Sequence, residues 1–302
     1  MMERAVRRMR QRERCLTLLA GVAVVAGAAC SDIPSDPKAA FSIEFNRAPS
    51  PSVVLGDTMF DSLGVPAPLK ARVFNAQGEE IVGAAVTYHV VAYDSVLPSD
   101  SSFRDSVPLT VDAASGIVTG KTAPQLAGRR ARVYAQAGKL QSQAIRITAT
   151  RSADELLAAG SVTDSVTLSF ITLDTLFVSD SSTFSVRLRH TPVPPDAAGD
   201  TTVPAYLVTF RIVKPAGAAT DTSYVMLTNG DKKRSEIDTT DASGVASRLI
   251  RIRRVNFPFT KTPDANGIIR DTIIVEASAY RAGGSLVAGS GQQFIFVIRA
   301  NH

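Results

Sequence analysis

Side chains able to do acid–base or nucleophilic chemistry are thinly spread. The histidines His89, His190 and His302 stand far apart, the first in a strand-like run, the second at a strand end and the third at the terminus. A nucleophile needs a base within hydrogen-bond reach, and no Gly-x-Ser-x-Gly elbow presents one. A two-histidine zinc motif is also missing. Aspartate and serine gather in 94–105, 174–182 and 196–202. None has the tight Asp-x-Asp-x-Asp-Gly spacing that brings oxygen ligands onto calcium, so they read as solvated loops. No catalytic residue, metal ligand or cofactor is expected, and the chain is not expected to be an enzyme. Two stretches are candidates for contact instead. Lys232, Lys233 and Arg234 form a basic loop tip that would meet an anionic polymer or lipid head groups, or serve as a solvated turn. Phe257 and Phe259 bracket Pro258 and form an exposed contact patch, or fold back over the end of the domain. There is no tryptophan to offer as a sugar-stacking platform.

One residue carries chemistry of another kind. Arg4, Arg7, Arg8, Arg10, Arg12 and Arg14 precede an apolar run from Leu18 to Ala29, which ends Gly27-Ala28-Ala29-Cys30-Ser31-Asp32. A basic region, a short apolar region and a small-residue site make a secretory signal peptide, too short to span a bilayer of about 20 residues. Ala28, Ala29 and Cys30 resemble the bacterial lipobox, with Gly27 where leucine is preferred. That resemblance implies cleavage before Cys30 and lipidation of its thiol; the alternative is ordinary cleavage beside an incidental cysteine. The Arg7-Arg8 pair is read as part of a plain charged region. Ser31, rather than aspartate, after the cysteine favours the outer membrane under the enterobacterial sorting rule.

Cleavage changes the charge argument. The first 29 residues hold those six arginines against Glu3 and Glu13, a net +4 of the chain's +5, so the mature chain is close to neutral. The basic balance belongs to the signal, and no nucleic-acid partner is implied. Cys15 leaves with the signal. The mature chain keeps Cys30 alone, so no intramolecular disulfide and no cysteine-based metal site is expected.

The rest has no helical period of any length. Short runs rich in Val, Ile, Thr, Phe and Tyr are broken by Gly, Pro, Asp, Asn and Ser, the pattern of an all-β sandwich or barrel. Residues 30–39 read as a proline-containing tether. A first domain is expected over 40–150, a linker over 151–162 and a second domain over 163–300. Leu69, Ala71 and Val73 alternate with Lys70 and Arg72, which sets one face on a core. Phe184 to Leu188 alternates likewise. Ala153 to Ala158 is the one plausible short helix, read as a single turn or linker. Residues 226–234 and 257–267 read as loops.

The halves repeat each other. Val86-Thr-Tyr-His-Val-Val91 matches Val208-Thr-Phe-Arg-Ile-Val213. Asp112-Ala-Ala-Ser-Gly116 matches Asp241-Ala-Ser-Gly244, and Val133-Tyr-Ala-Gln-Ala137 matches Val275-Glu-Ala-Ser-Ala279. The order is kept while offsets grow, which is how loops absorb insertions. These segments resemble bacterial immunoglobulin-like domains. With Asn75-Ala-Gln-Gly78, the first set is similar to the Big-2 type; the second is similar to the Big-1 type of invasin and intimin stalks. The resemblance implies extracytoplasmic β-sandwiches used as spacers, adhesive stalks or appended binding modules, and transfers no catalytic residue. The expected protein is a membrane-anchored lipoprotein of the cell envelope, a structural spacer or adhesive module with a protein or polysaccharide partner. The alternative is a ligand-binding or accessory module of a secreted or periplasmic system.

Overall fold

The computed structural model describes residues 39–45, 47–92, 107–168, 181–194, 199, 201–215, 224–229, 234–253, 257 and 261–301. The first half contributes β1 (Ser42–Glu44), β2 (Ser52–Val54), β3 (Arg72–Phe74), β4 (Thr87–Ala92), β5 (Leu109–Val111), β6 (Val118–Gly120), β7 (Arg130–Ala137), β8 (Leu140–Gln141) and β9 (Ile145–Thr150). The second contributes β10 (Glu155–Ala158), β11 (Thr163–Leu168), β12 (Ser182–Arg189), β13 (Leu207–Lys214), β14 (Val225–Thr228), β15 (Ile237–Thr239), β16 (Val245–Ile252), β17 (Ile268–Ser278) and β18 (Gln292–Asn301). Among the described residues no helix is long and apolar enough to cross a membrane.

In the first half, one sheet runs β2-β9-β7-β4, with β8 added to β7, and the separate ladders β1-β3 and β5-β6 contribute Ile43, Leu109 and Val118 to the same core. In the second half, β10-β12-β16-β14 faces β11-β18-β17-β13-β15. Both halves use one device. An early strand lies parallel to the last, β2 on β9 and β11 on β18, while the remaining strand pairs are antiparallel. That arrangement closes two facing sheets in the manner of an immunoglobulin-like sandwich. The fold is all-β, with two such sandwiches in tandem.

Period-2 alternation explains which face each strand buries. In β7, Ala131, Val133, Ala135 and Ala137 point inward and Arg130, Arg132, Tyr134 and Gln136 outward. In β12, Phe184, Val186 and Leu188 are buried, and Arg187 and Arg189 are exposed. Phe184 sits at the heart of the second core, its ring 5.0 Å from Phe294, 5.3 Å from Phe296 and 5.4 Å from Phe210. Tilted and edge-on packing of this kind adds to what burial alone provides. The first core is smaller, with Phe45 against Tyr88 at 5.8 Å and the Tyr88 hydroxyl accepting from the Ala71 amide at 3.0 Å.

Two expectations are corrected. Residues 153–158 do not form a helical turn within a linker: Glu155–Ala158 is an edge strand of the second sandwich, in antiparallel register with Val186–Arg189. Its good helix formers lose to the ladder offered by β12, since propensity is a weak prior against tertiary pairing. Residues 226–228 do not open a loop: they belong to β14, paired on β16, with Leu227 and Thr228 buried. The buried face of β16 also carries a cation, Arg248, only 5% exposed. Its guanidinium pairs with Asp238 at 2.9 Å and donates to the carbonyl oxygens of Ser235, Ser247 and Ile237.

Candidate functional site: the interdomain joint and its surfaces

Five turns are built by one local rule. Asp61, Asn75, Asp112, Asp241 and Asp264 each stand three or four residues before a glycine. Each side-chain oxygen accepts from backbone amides inside its own turn, for example Asp241 Oδ1 from Ser243 N at 2.8 Å and Val245 N at 3.0 Å. Asp61 does the same with Leu63 N at 2.9 Å and Val65 N at 3.1 Å. An Asx side chain that pairs the backbone ahead of it makes a tight turn without help from the rest of the fold.

Two of these turns lock their own sandwich in matching fashion. The Leu69 amide donates to the Gly116 carbonyl at 2.9 Å, and the Leu188 amide to the Gly244 carbonyl at 2.9 Å. A Cβ at Gly116 would lie 2.7 Å from the Leu69 oxygen, and one at Gly244 2.8 Å from the Leu188 oxygen. These are the segments whose sequences repeat, so the repeat is one of docking geometry as well as residue type.

The Asp61–Gly64 turn reaches beyond its own sandwich to the other one. The Gly283 amide donates to the Gly64 carbonyl at 3.0 Å. Arg281 begins the facing hairpin, and its guanidinium reaches back to the carbonyl of Ala153 at 2.9 Å and to the Asp154 carboxylate at 3.4 Å. Val54 and Phe60 of the first half are buried in the hydrophobic core of the second. Phe60 meets Tyr206 edge-on at 5.8 Å. The Tyr206 hydroxyl donates to the Tyr280 carbonyl at 2.8 Å, and burial pushes its pKa up. The Ser52 hydroxyl donates to the carbonyl of Ala205 at 2.6 Å, and that of Thr209 to Ser62 at 3.3 Å. Apolar burial, backbone pairing and side-chain hydrogen bonds therefore converge on one joint.

His190 belongs to the same neighbourhood. Its Nδ1 is 3.0 Å from Asp154 Oδ2 and 3.1 Å from the Ser152 carbonyl, while the Thr191 amide donates to Asp154 at 2.8 Å. The pairing ties the strand that follows the joint to the end of β12. His89 lies on an outer sheet face, stacked on Tyr134 at 5.1 Å with 20° between the planes. His302 lies outside the described residues. Among the described residues no three metal-ligating side chains converge.

Of the contact residues expected from sequence, Arg234 and Phe257 are among the described residues. Phe257 is only 4% exposed, its ring 5.5 Å from Tyr224 and edge-on in the second core. Of the two readings of this position, Phe257 follows the one that folds back into the domain, not the exposed patch: a ring that fills a core gap contributes more than one held in water. Arg234 is exposed, in a bridge with Thr228. Cys30, Lys232, Lys233 and Phe259 lie outside the described residues. In the sequence the Asp-Ser-Leu-Gly64 pattern signals a turn at the joint, and nothing local signals that the turn docks on another domain.

No protein-family model matches the chain, and no curated protein matches it. Among solved structures the chain is similar to the Yersinia pseudotuberculosis adhesin InvE at 12% identity and TM-score 0.29, covering 82% of this chain and 56% of that one. It is also similar to domains 4–9 of surface layer protein SbsC at 11% identity and TM-score 0.24, covering 87% of this chain and 31% of that one. A titin pair, A168169, matches at 8% identity and TM-score 0.26 over 87% of this chain and all of that one, 100%. The chain spans about half or less of the adhesin and surface-layer chains.

Proposed function

We propose that this chain is an exported lipoprotein of the cell envelope, held by lipid on Cys30, whose two sandwiches form a stiff spacer presenting adhesive or protein-contact surfaces away from the membrane. The observation that carries this reading is the joint. A hinge between domains is expected to be small, polar and mobile. Here Val54 and Phe60 are shared with the neighbouring core, and Gly64 is docked against the backbone of the opposite hairpin. Such a joint transmits position along the chain, which a spacer needs and a flexible tether of independent modules does not. The first sandwich is assigned to the Big-2 type and the second to the Big-1 type on their turn and strand motifs, and the outer membrane is the proposed site.

The anchor is tested by membrane fractionation of the wild type beside Cys30→Ala, with labelled fatty acid in the medium. The wild type takes up label and sediments with membranes, while the variant is soluble. Two soluble, unlabelled proteins would remove the anchored-spacer reading and leave a secreted double sandwich.

A further inference from the structure

At one end of the second sandwich, where β12 meets the Asp241–Gly244 turn, there is a depression of about 220 Å³ lined by Arg187, Leu188, Arg189, Thr201, Thr202 and Ser243. Arg187 and Arg189 are both exposed and both on the outward face of β12. Among the described residues no lining side chain carries a carboxylate. Among the described residues neither arginine forms an ion pair, although Glu155 stands beside Arg189 in the strand register. The nearest acid at the turn, Asp241, feels Arg187 through space but is engaged by its own turn: Oδ1 accepts from Ser243 N at 2.8 Å, Ser243 Oγ at 2.7 Å and Val245 N at 3.0 Å. The result is two planar guanidinium groups beside three hydroxyl side chains, in a concavity.

The geometry points to a binding site for a carboxylated sugar unit, such as a uronate residue of an acidic polysaccharide. Guanidinium groups match a carboxylate through paired, charge-assisted hydrogen bonds. Thr201, Thr202 and Ser243 supply hydroxyls for ring hydroxyl groups. The depression is smaller than the roughly 300–1,000 Å³ of pockets for drug-sized ligands, which suits one sugar ring. A peptide is the poorer occupant. It would recruit backbone hydrogen bonds, and here the Leu188 amide is already given to Gly244 and the His190 amide to Thr201, each at 2.9 Å. One shallow unit binds weakly, so retention depends on many units of a polymer being offered together. The site is independent of the joint and of the anchor, and its failure would leave both standing.

The test is retention of the full mature chain on immobilised polygalacturonate at low salt, about 20 mM, where screening is weak. Neutral dextran and polyglutamate serve as comparison matrices. The wild type is retained on polygalacturonate and not on dextran. The double variant Arg187→Gln, Arg189→Gln loses about tenfold or more in apparent affinity. Its melting curve is unchanged, because both side chains lie in water. The proposal is overturned by an unretained wild type, by equal retention of wild type and double variant, or by equal capture on polyglutamate. Retention lost only in a Lys232→Gln, Lys233→Gln variant would likewise overturn it, by assigning the binding to the basic loop.

Discussion

Gly64 and Arg281 belong to different sandwiches, yet a Cβ at Gly64 would fall inside the van der Waals envelope of the Arg281 carbonyl oxygen. It would also stand 2.8 Å from Gly284 Cα and 2.9 Å from its nitrogen. Gly64 further holds φ at +76°, where a side chain is strained by about 1–2 kcal/mol. Both constraints come from the turn and from the partner hairpin together. The Arg281 side chain meanwhile fixes residues 153 and 154, through which the chain enters the second sandwich. One residue thus fastens the facing hairpin to the connecting segment.

The paired turn glycines predict paired effects. Gly116→Ala and Gly244→Ala each place a methyl group 2.7–2.8 Å from a carbonyl oxygen of the strand they lock. Each also strains a left-handed residue, at φ +71° and +77°. Each should cost about 2 kcal/mol or more, toward the upper part of the range for point substitutions, and should do so in its own sandwich. Denaturant unfolding of the variants checks this, with the Gly116 variant lowering the midpoint of signals from the first sandwich and the Gly244 variant those from the second.

The Asx turns predict a low-pH limit to stability. The Ser243 hydroxyl and backbone amides hold the Asp241 carboxyl below its usual range. The Ile268 amide and then Arg270 do so for Asp264. At Asp271 desolvation works the other way, and bonds from Lys261 and Tyr224 outweigh it. A carboxylate whose folded pKa lies below its unfolded value of about 3.9 contributes stability that is complete above that value and fades as pH falls through the folded pKa. The melting temperature should therefore be flat from pH 7 to about 5 as far as these groups decide it, and drop below pH 4. Asp241→Asn should flatten part of that drop, because an amide oxygen still accepts from the turn but does not titrate.

Ala205 offers the opposite sign. It is the one described non-glycine residue with positive φ, at 60°. It keeps that conformation because its amide donates to Thr240 and its carbonyl accepts from Ser52. Relief of left-handed strain, about 1–2 kcal/mol, exceeds the added entropy of a glycine, about 0.5–1 kcal/mol. Ala205→Gly should therefore be neutral or raise the melting temperature, measured by calorimetry, with the joint intact.

Much of the fold was legible because its signals are local. Alternation in Phe184–Leu188 and Ala131–Ala135 reports a half-buried strand wherever it is met. Asp241-Ala-Ser-Gly244 reports a turn, and its near copy at Asp112 reports a repeat. What was hidden depends on partners distant in sequence. Ala153 to Ala158 carries helix formers, and only the waiting edge of β12 makes it a strand. Phe257 sits among loop residues, and only Tyr224, more than thirty positions earlier, decides that it is buried. Val54 and Phe60 announce themselves as core residues, but nothing near them says that the core is the neighbour's. The arginines of β12 read as outward charges; their depression needs Thr201 and Ser243 brought alongside.

The stiffness of the joint is open to direct measurement. Spin labels at Val82→Cys, 92% exposed on the first sandwich, and Arg299→Cys, on the outer face of β18 in the second, report the distance between the two bodies by pulsed dipolar spectroscopy, with Cys30 replaced by serine. The joint predicts a single narrow distance distribution, which broadens when Gly64→Val is added and the hairpins part. A broad or multi-peaked distribution in the protein with Gly64 intact would show the sandwiches swinging independently, and would contradict the stiff spacer.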